Sequence, residues 1–131
     1  MSRYDKYSSL VSGTRAAVAA NMGSVGDTVD NTWLGKAMGV GLDVNGRLVK
    51  GAGVTGVIGV LVLTRHVYAG DIVDLMDLGE LVEFDPTTPG TLAPAATKYY
   101  SDASGVISTT NTGTLLGYTV EAGRLRVHMG L

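Results

Sequence analysis

The spacing of apolar and polar residues changes at about residue 36. Residues 1–35 are dominated by Ser, Thr, Asn, Asp and Ala. They hold neither a two-residue nor a 3.6-residue period, which predicts an extended arm. Within the arm, residues 14–21 have the composition for two helical turns, although helices that short are marginal in water without a surface to lie on. From Met38 onward, short apolar runs alternate with turn residues. Residues 38–44 and 47–50 flank Asn45-Gly46, residues 54–65 form a long apolar run, and residues 66–68, 72–76 and 80–84 follow as further strands. Turns at Ala69-Gly70-Asp71 and Asp77-Leu78-Gly79 make the centre of the chain a β-meander. Pro86, Pro89 and Pro94 fall within residues 85–96 and mark the clearest loop, because each removes a backbone donor and fixes φ. Residues 98–101 and 115–120 are strands on either side of a solvated Ser/Thr loop, 108–114. Finally, strict alternation over 124–129 sets Leu125, Val127 and Met129 on one face and Arg124, Arg126 and His128 on the other, as in an edge strand or a one-sided sheet strand.

Residues 42–62 and 100–120 repeat one pattern of strand, tight turn, strand, loop and strand. Asp43 and Asp102, Gly46 and Gly105, and Leu48 and Ile107 share a common offset. After a one-residue slip, Gly59-Val60-Leu61-Val62 matches Gly117-Tyr118-Thr119-Val120. Asn45-Gly46 is a strong signal for a two-residue hairpin turn, and Ser104-Gly105 is a weaker one. In a chain with 19 glycines, chance and duplication both account for such a match.

Roughly nine or ten short strands imply an all-β fold, a compact β-barrel or β-sandwich of short antiparallel strands over residues 36–131 behind the extended N-terminal arm. At 131 residues the chain is long enough for one domain with its own core. There are no cysteines, so thiol chemistry is excluded. The net charge of -2, with 17% charged residues, argues against a nucleic-acid binder, which needs a basic stripe to displace counterions. The first residues are not followed by the apolar core of a signal peptide. The uncharged run 51–64 is too short and too β-branched for a membrane helix. Neither membrane nor nucleic acid is therefore expected as a partner.

Candidate chemistry is sparse. Gly51-Ala52-Gly53-Val54-Thr55-Gly56 is a literal G-x-G-x-x-G, but strongly β-forming residues follow where a dinucleotide fold needs a helix. Its glycines fit bulges or close backbone approach better. Asp71, Asp74, Asp77, Glu80, Glu83 and Asp85 are spaced along strands and turns rather than gathered in one loop, which fits a solvated face better than a metal cage. His66 and His128 have no ligand partner at metal spacing, and no G-x-S-x-G elbow is present. Arg124, Arg126 and His128 form one basic stripe, suited to a negatively charged protein surface. No catalytic residue, metal or cofactor is expected. In the arm, Tyr4, Tyr7 and Trp33 carry large rings that either pack on the domain or anchor an interface. Val57, Val60, Val62, Leu125 and Val127 are expected in the core or at a seam between copies.

The run Ala69-Gly70-Asp71-Ile72-Val73-Asp74, then Gly79-Glu80-Leu81-Val82, the proline loop, residues 99–107, Gly117-Tyr118-Thr119-Val120-Glu121 and Arg124-Leu125-Arg126-Val127 resemble the small head decoration proteins of tailed bacteriophages. The chain is similar in particular to those of phages infecting actinobacteria. The resemblance covers about residues 38–129 and implies a non-enzymatic cement protein of the virion. It implies a homotrimer on the outer surface of the capsid, bound to the major capsid protein; the arm lies outside the resemblance, and on that reading Tyr4, Tyr7, Arg15 and Trp33 are expected as its capsid contacts. Another phage structural module, such as a tail-tube, fibre or head-fibre base, is the alternative, followed by a small ligand-binding β-domain.

Overall fold

The computed structural model describes residues 3–5, 14–18, 36–62, 72–86 and 92–129, with backbone only for 3–5, 14–18 and Asp74. These residues form eleven strands and no helix. In chain order they are β1 Arg3–Asp5, β2 Thr14–Val18, β3 Ala37–Leu42, β4 Leu48–Lys50, β5 Gly59–Val62 and β6 Ile72–Met76. They continue with β7 Leu78–Val82, β8 Lys98–Ser101, β9 Ile107–Ser108, β10 Thr114–Glu121 and β11 Arg124–His128. Two antiparallel sheets result, one ordered β1-β7-β11-β10-β8-β9 and the other β2-β6-β5-β3-β4. The expected all-β fold of short antiparallel strands is observed, as two sheets packed together.

Local chemistry explains most elements. In β11, Leu125 and Val127 are buried while Arg124, Arg126 and His128 are half-buried, the alternation that a sheet with one covered face requires. The strand is internal, between β7 and β10, so it is not an edge. In β5 all four residues are buried, as expected where both faces of a sheet are covered. That strand starts only at Gly59, because Gly53 and Gly56 hold positive φ (55° and 82°) and residues 54–58 are turn and coil. Residues 14–18 are a strand paired along β6, not a helical turn.

The expected meander is overturned at Asp77. β6 belongs to the five-stranded sheet and β7 to the six-stranded one, so the bend at Asp77 is a corner between sheets, not a hairpin. Within the arm, β1 pairs with β7 and β2 with β6, so its two described strands extend different sheets. The strand expected at 66–68 lies outside the described residues.

The repeat read in the sequence extends to whole sheets. Strands β2 to β6 are ordered β2-β6-β5-β3-β4, and β7 to β11 follow the same order, β7-β11-β10-β8-β9. The register matches as well. Leu42 opposes Leu48 as Ser101 opposes Ile107, and Val40 opposes Gly59 as Tyr99 opposes Gly117. β10 carries a bulge between Leu115 and Gly117, whereas the one-residue slip is a shortening of the connection ahead of it, after Ile107.

The two five-strand units stack front to back. Tyr99, Ile107 and Leu125 of the second unit face a core shared with Val60, Val62 and Met76 of the first. Their equivalents Val40, Leu48 and Leu75 lie instead in a second buried cluster drawn from the first unit. Val57, Val60, Val62, Leu125 and Val127, the residues expected at the core or a seam, all lie in the shared core. Each fully buried Leu or Val there contributes about 1.5–3 kcal/mol.

Candidate functional site

The duplicated turns are the most regular local feature. Asp43 N–H donates to Arg47 O (2.9 Å) and Gly46 N–H to Asp43 O (3.0 Å). One carboxylate oxygen, Asp43 Oδ1, accepts from the N–H groups of Asn45 (2.9 Å) and Arg47 (3.0 Å). Asp102 repeats all four bonds with Val106, Gly105 and Ser104. Gly46 and Gly105 hold φ of 78° and 85°, while Asn45 and Ser104 keep negative φ. The turn is therefore a three-residue loop ending in a left-handed glycine, not the two-residue primed turn expected from Asn45-Gly46. The residue that organises it, Asp, was visible in the repeat, but its carboxylate role was missed; an Asp three residues before a turn glycine was the available signal.

The second turn is built into the protein. Gly39 N–H donates to Gly105 O (3.0 Å), and Ala52 N–H to Ala103 O (3.0 Å). A Cβ on Gly105 would run into Gly39 O and the Gly51 nitrogen, whereas one on Gly46 would meet open space. This docking also disposes of the G-x-G-x-x-G motif. Its donors at Gly51, Ala52 and Val54 are bonded to Gly39 O, Ala103 O and Leu42 O, so they are not presented to a phosphate.

Thr119 was another missed residue. Buried in β10, its hydroxyl donates to Pro94 O (2.6 Å) and accepts from Thr97 N–H (2.9 Å). Together with the bonds Phe84 N–H to Gly123 O, Gly123 N–H to Ala93 O, and Ala93 N–H to Phe84 O, it pins the end of the proline loop to the sheet. Beside it lies a mainly apolar groove of about 280 Å³, lined by Pro86, Leu92, Pro94, Thr97, Tyr99 and Thr109 among others. The groove is walled by Tyr99, whose ring meets Phe84 edge-on at 5.0 Å. Burial raises the Tyr99 hydroxyl pKa above its ordinary value. Among the described residues, no carboxylate, histidine or lysine lines the groove.

The outer face of the six-stranded sheet holds most of the remaining chemistry. Lys98, Tyr118, Arg126 and Glu80 oppose one another in a row across β8, β10, β11 and β7. Arg124 Nη1 donates to Glu80 Oε1 (2.8 Å) and Nε to Glu121 Oε1 (2.9 Å). These bonds, to Glu80 first and then Glu121, raise the guanidinium pKa. The stripe expected to be basic is thus interleaved with carboxylates. Leu115, Tyr118 and Val120 are exposed on the same strand, β10.

The remaining candidates are not brought together. Tyr4 lies in β1 opposite Leu81, and Arg15 in β2 opposite Leu75. Tyr7, Trp33, His66 and Asp71 lie outside the described residues. Asp77 sits at the corner, Glu83 is exposed and Asp85 half-buried. Among the described residues, no group of three or more His, Cys, Asp or Glu is placed to hold a metal, and no helix is long and apolar enough to cross a membrane.

No family model matches the chain, and no curated protein matches it. Among solved structures, a chain from Mycobacterium phage Patience has the same fold, with a TM-score of 0.79 at 20% sequence identity. The match covers 98% of this chain and 96% of that one. The likeness therefore embraces both five-strand units and the corner that joins them.

Proposed function

We propose that the protein is a structural component of a phage virion, a cement protein that binds the outside of the head and stabilises the lattice of major capsid protein. The observation that carries this reading is the fold shared over nearly the full length with a chain from Mycobacterium phage Patience. The sequence resemblance to head decoration proteins of actinobacteria-infecting phages adds to it.

In this reading the protein works by avidity. A homotrimer presents three copies of the same weak contacts to a symmetric lattice, so occupancy exceeds what one contact supplies. The arm, with Tyr4, Tyr7, Arg15 and Trp33, buries area on capsid subunits at the entropic cost of ordering. No catalytic step and no cofactor are involved.

The test is to add purified protein to expanded heads lacking it and to image them by cryo-electron microscopy. Density at three-fold and quasi-three-fold positions on the outer surface is expected. Bare heads at saturating protein, or density only in the tail, would overturn the reading.

A further inference from the structure

The solvent-facing copy of the duplicated turn carries a reactive pair that the docked copy lacks. Asn45 precedes Gly46, whereas the residue equivalent to Asn45 in the second turn is Ser104. The side-chain amide of an asparagine is an electrophile, and the main-chain nitrogen that follows it can close a cyclic imide upon it. A side chain on the following residue crowds that approach, so glycine is the most permissive neighbour. Of the four asparagines, Asn21 precedes Met22, Asn31 precedes Thr32 and Asn111 precedes Thr112; only Asn45 precedes a glycine. Asn45 and Gly46 are both exposed, and the space where a Gly46 Cβ would sit is open, so water and hydroxide reach the pair. In the closed loop the nucleophile is occupied. Gly46 N–H donates to Asp43 O (3.0 Å), and Asp43 Oδ1 fixes the N–H groups of Asn45 (2.9 Å) and Arg47 (3.0 Å) on either side.

We propose that Asn45 is a site of spontaneous covalent modification, converted to aspartate and isoaspartate at a rate set by the opening of the Asp43 loop. The inference does not depend on the virion reading. Hydroxide removes the Gly46 N–H proton, and the nitrogen attacks Asn45 Cγ. The new N–Cγ bond closes the imide, the Cγ–Nδ2 bond breaks, and Nδ2 leaves as ammonia with a proton from water. A water molecule then adds to one of the two imide carbonyl carbons, and the bond from that carbon to the Gly46 nitrogen breaks. Opening at Cγ restores the ordinary main chain with aspartate at 45, and opening at the Asn45 main-chain carbonyl leaves isoaspartate. Nothing is oxidised or reduced; one water is consumed, one ammonia is released, and the net charge of -2 becomes one unit more negative. Isoaspartate also adds a carbon to the main chain inside a three-residue loop, so the bonds that span residues 43–47 cannot all be kept. Attack requires the Gly46 nitrogen to leave Asp43 O and turn towards Cγ, so the rate follows local opening of the loop. In the second turn the bonds to the Gly39 and Ala52 N–H groups make the equivalent opening rarer, and Ser104 has no amide to react.

The experiment incubates the full chain at mildly alkaline pH in heavy-oxygen water and then digests it with trypsin in ordinary water. Oxygen taken up at imide opening marks the molecules converted before digestion. Cleavage after Lys36 and Arg47 isolates residues 37–47, whose aspartate and isoaspartate forms are resolved by liquid chromatography and mass spectrometry. Asn45 is expected to convert to both products, and faster than the exposed Asn111, where the Thr112 side chain crowds the nucleophile. Folded Asp43→Ala should convert about fivefold faster, the share of one hydrogen-bonded clamp in the opening equilibrium. Asp43→Asn, which keeps the Oδ1 acceptor, should stay near the wild-type rate. The chain in urea should convert fastest, and its ratio to the folded rate measures the protection by the closed loop even should Asp43→Ala fail to fold. Ser104→Asn, a change at an exposed position, carries the amide into the docked turn and should convert there at least about fivefold more slowly than at Asn45 of the same molecules. Folded protein that stays unconverted at Asn45 while the chain in urea converts fully overturns the inference, as does aspartate formed without isoaspartate. Equal rates in folded wild type and in urea, or conversion at position 104 as fast as at Asn45, overturn the control by the loop.

Discussion

Asp43 and Asp102 close the same loop by the same four hydrogen bonds, each with a single carboxylate oxygen holding two backbone N–H groups. Their surroundings differ, because the Asp102 loop is wedged against Gly39 and Ala52 while the Asp43 loop faces solvent.

Replacing either aspartate by alanine should therefore destabilise the protein, and Asp102→Ala should do so more. A loss of about 1 kcal/mol is expected at Asp43 and about 2–3 kcal/mol at Asp102, where loosening the loop also weakens its bonds to the Gly39 and Ala52 N–H groups. Asn at either position, which keeps the Oδ1 acceptor, should recover most of the loss. Urea denaturation of the four variants checks the ranking.

The paired glycines give a sharper contrast. Gly46→Ala should cost about 1–2 kcal/mol, the strain of a left-handed residue bearing a Cβ. Gly105→Ala carries the same strain plus a clash with the backbone of Gly39 and Gly51, so a loss at least twice as large is expected. Thermal melts monitored by circular dichroism suffice, and equal effects at the two sites would contradict the docking described.

Much of this architecture was legible wherever a short stretch decides its own fate. β8 begins and ends where its Lys-Tyr-Tyr-Ser run does, and β11 shows the alternation of Leu125 and Val127. What escaped was set by distant partners. A bend at Asp77 has the same local composition whether it reverses a hairpin or turns a corner between sheets, and only the packing of Leu81 and Leu75 into different clusters decides. The start of β5 was misplaced because Val54 and Val57 have strand propensity, while the backbone of Gly53 and Gly56 turns away from the ladder. At the candidate surface, Tyr118 and Val120 read like their buried counterparts Val60 and Val62. Exposure depends on what lies across the sheet, which periodicity does not encode.

Thr119→Val keeps the shape of a buried side chain and removes its hydroxyl. The Thr97 N–H loses a 2.9 Å acceptor and Pro94 O a 2.6 Å donor, so a loss of about 1–3 kcal/mol is expected. The freed strap at 92–97 should also be cut earlier by a broad-specificity protease, which limited proteolysis followed by mass spectrometry would locate.

Alkaline stability tests the burial of Tyr99. Its hydroxyl pKa is raised above the ordinary 10.0 by desolvation, so the folded state holds the proton more tightly than the unfolded chain. The resulting stabilisation is fully present below the unfolded value and is lost as pH rises through the folded one. Denaturant midpoints should fall from pH 9 upward more steeply for wild type than for Tyr99→Phe, which has no proton to lose. Parallel slopes would refute the assignment.

Stacking two like units front to back also gives the molecule a direction. A sandwich closed by a two-fold axis has two equivalent outer faces and no sense of up or down. Here one end presents the exposed Tyr118 and Val120, whereas the layer of Val40, Leu48 and Leu75 towards the other end is buried, so the two ends are unlike. Heading is thus written into the strand order itself, and any ordered array of these molecules would inherit it.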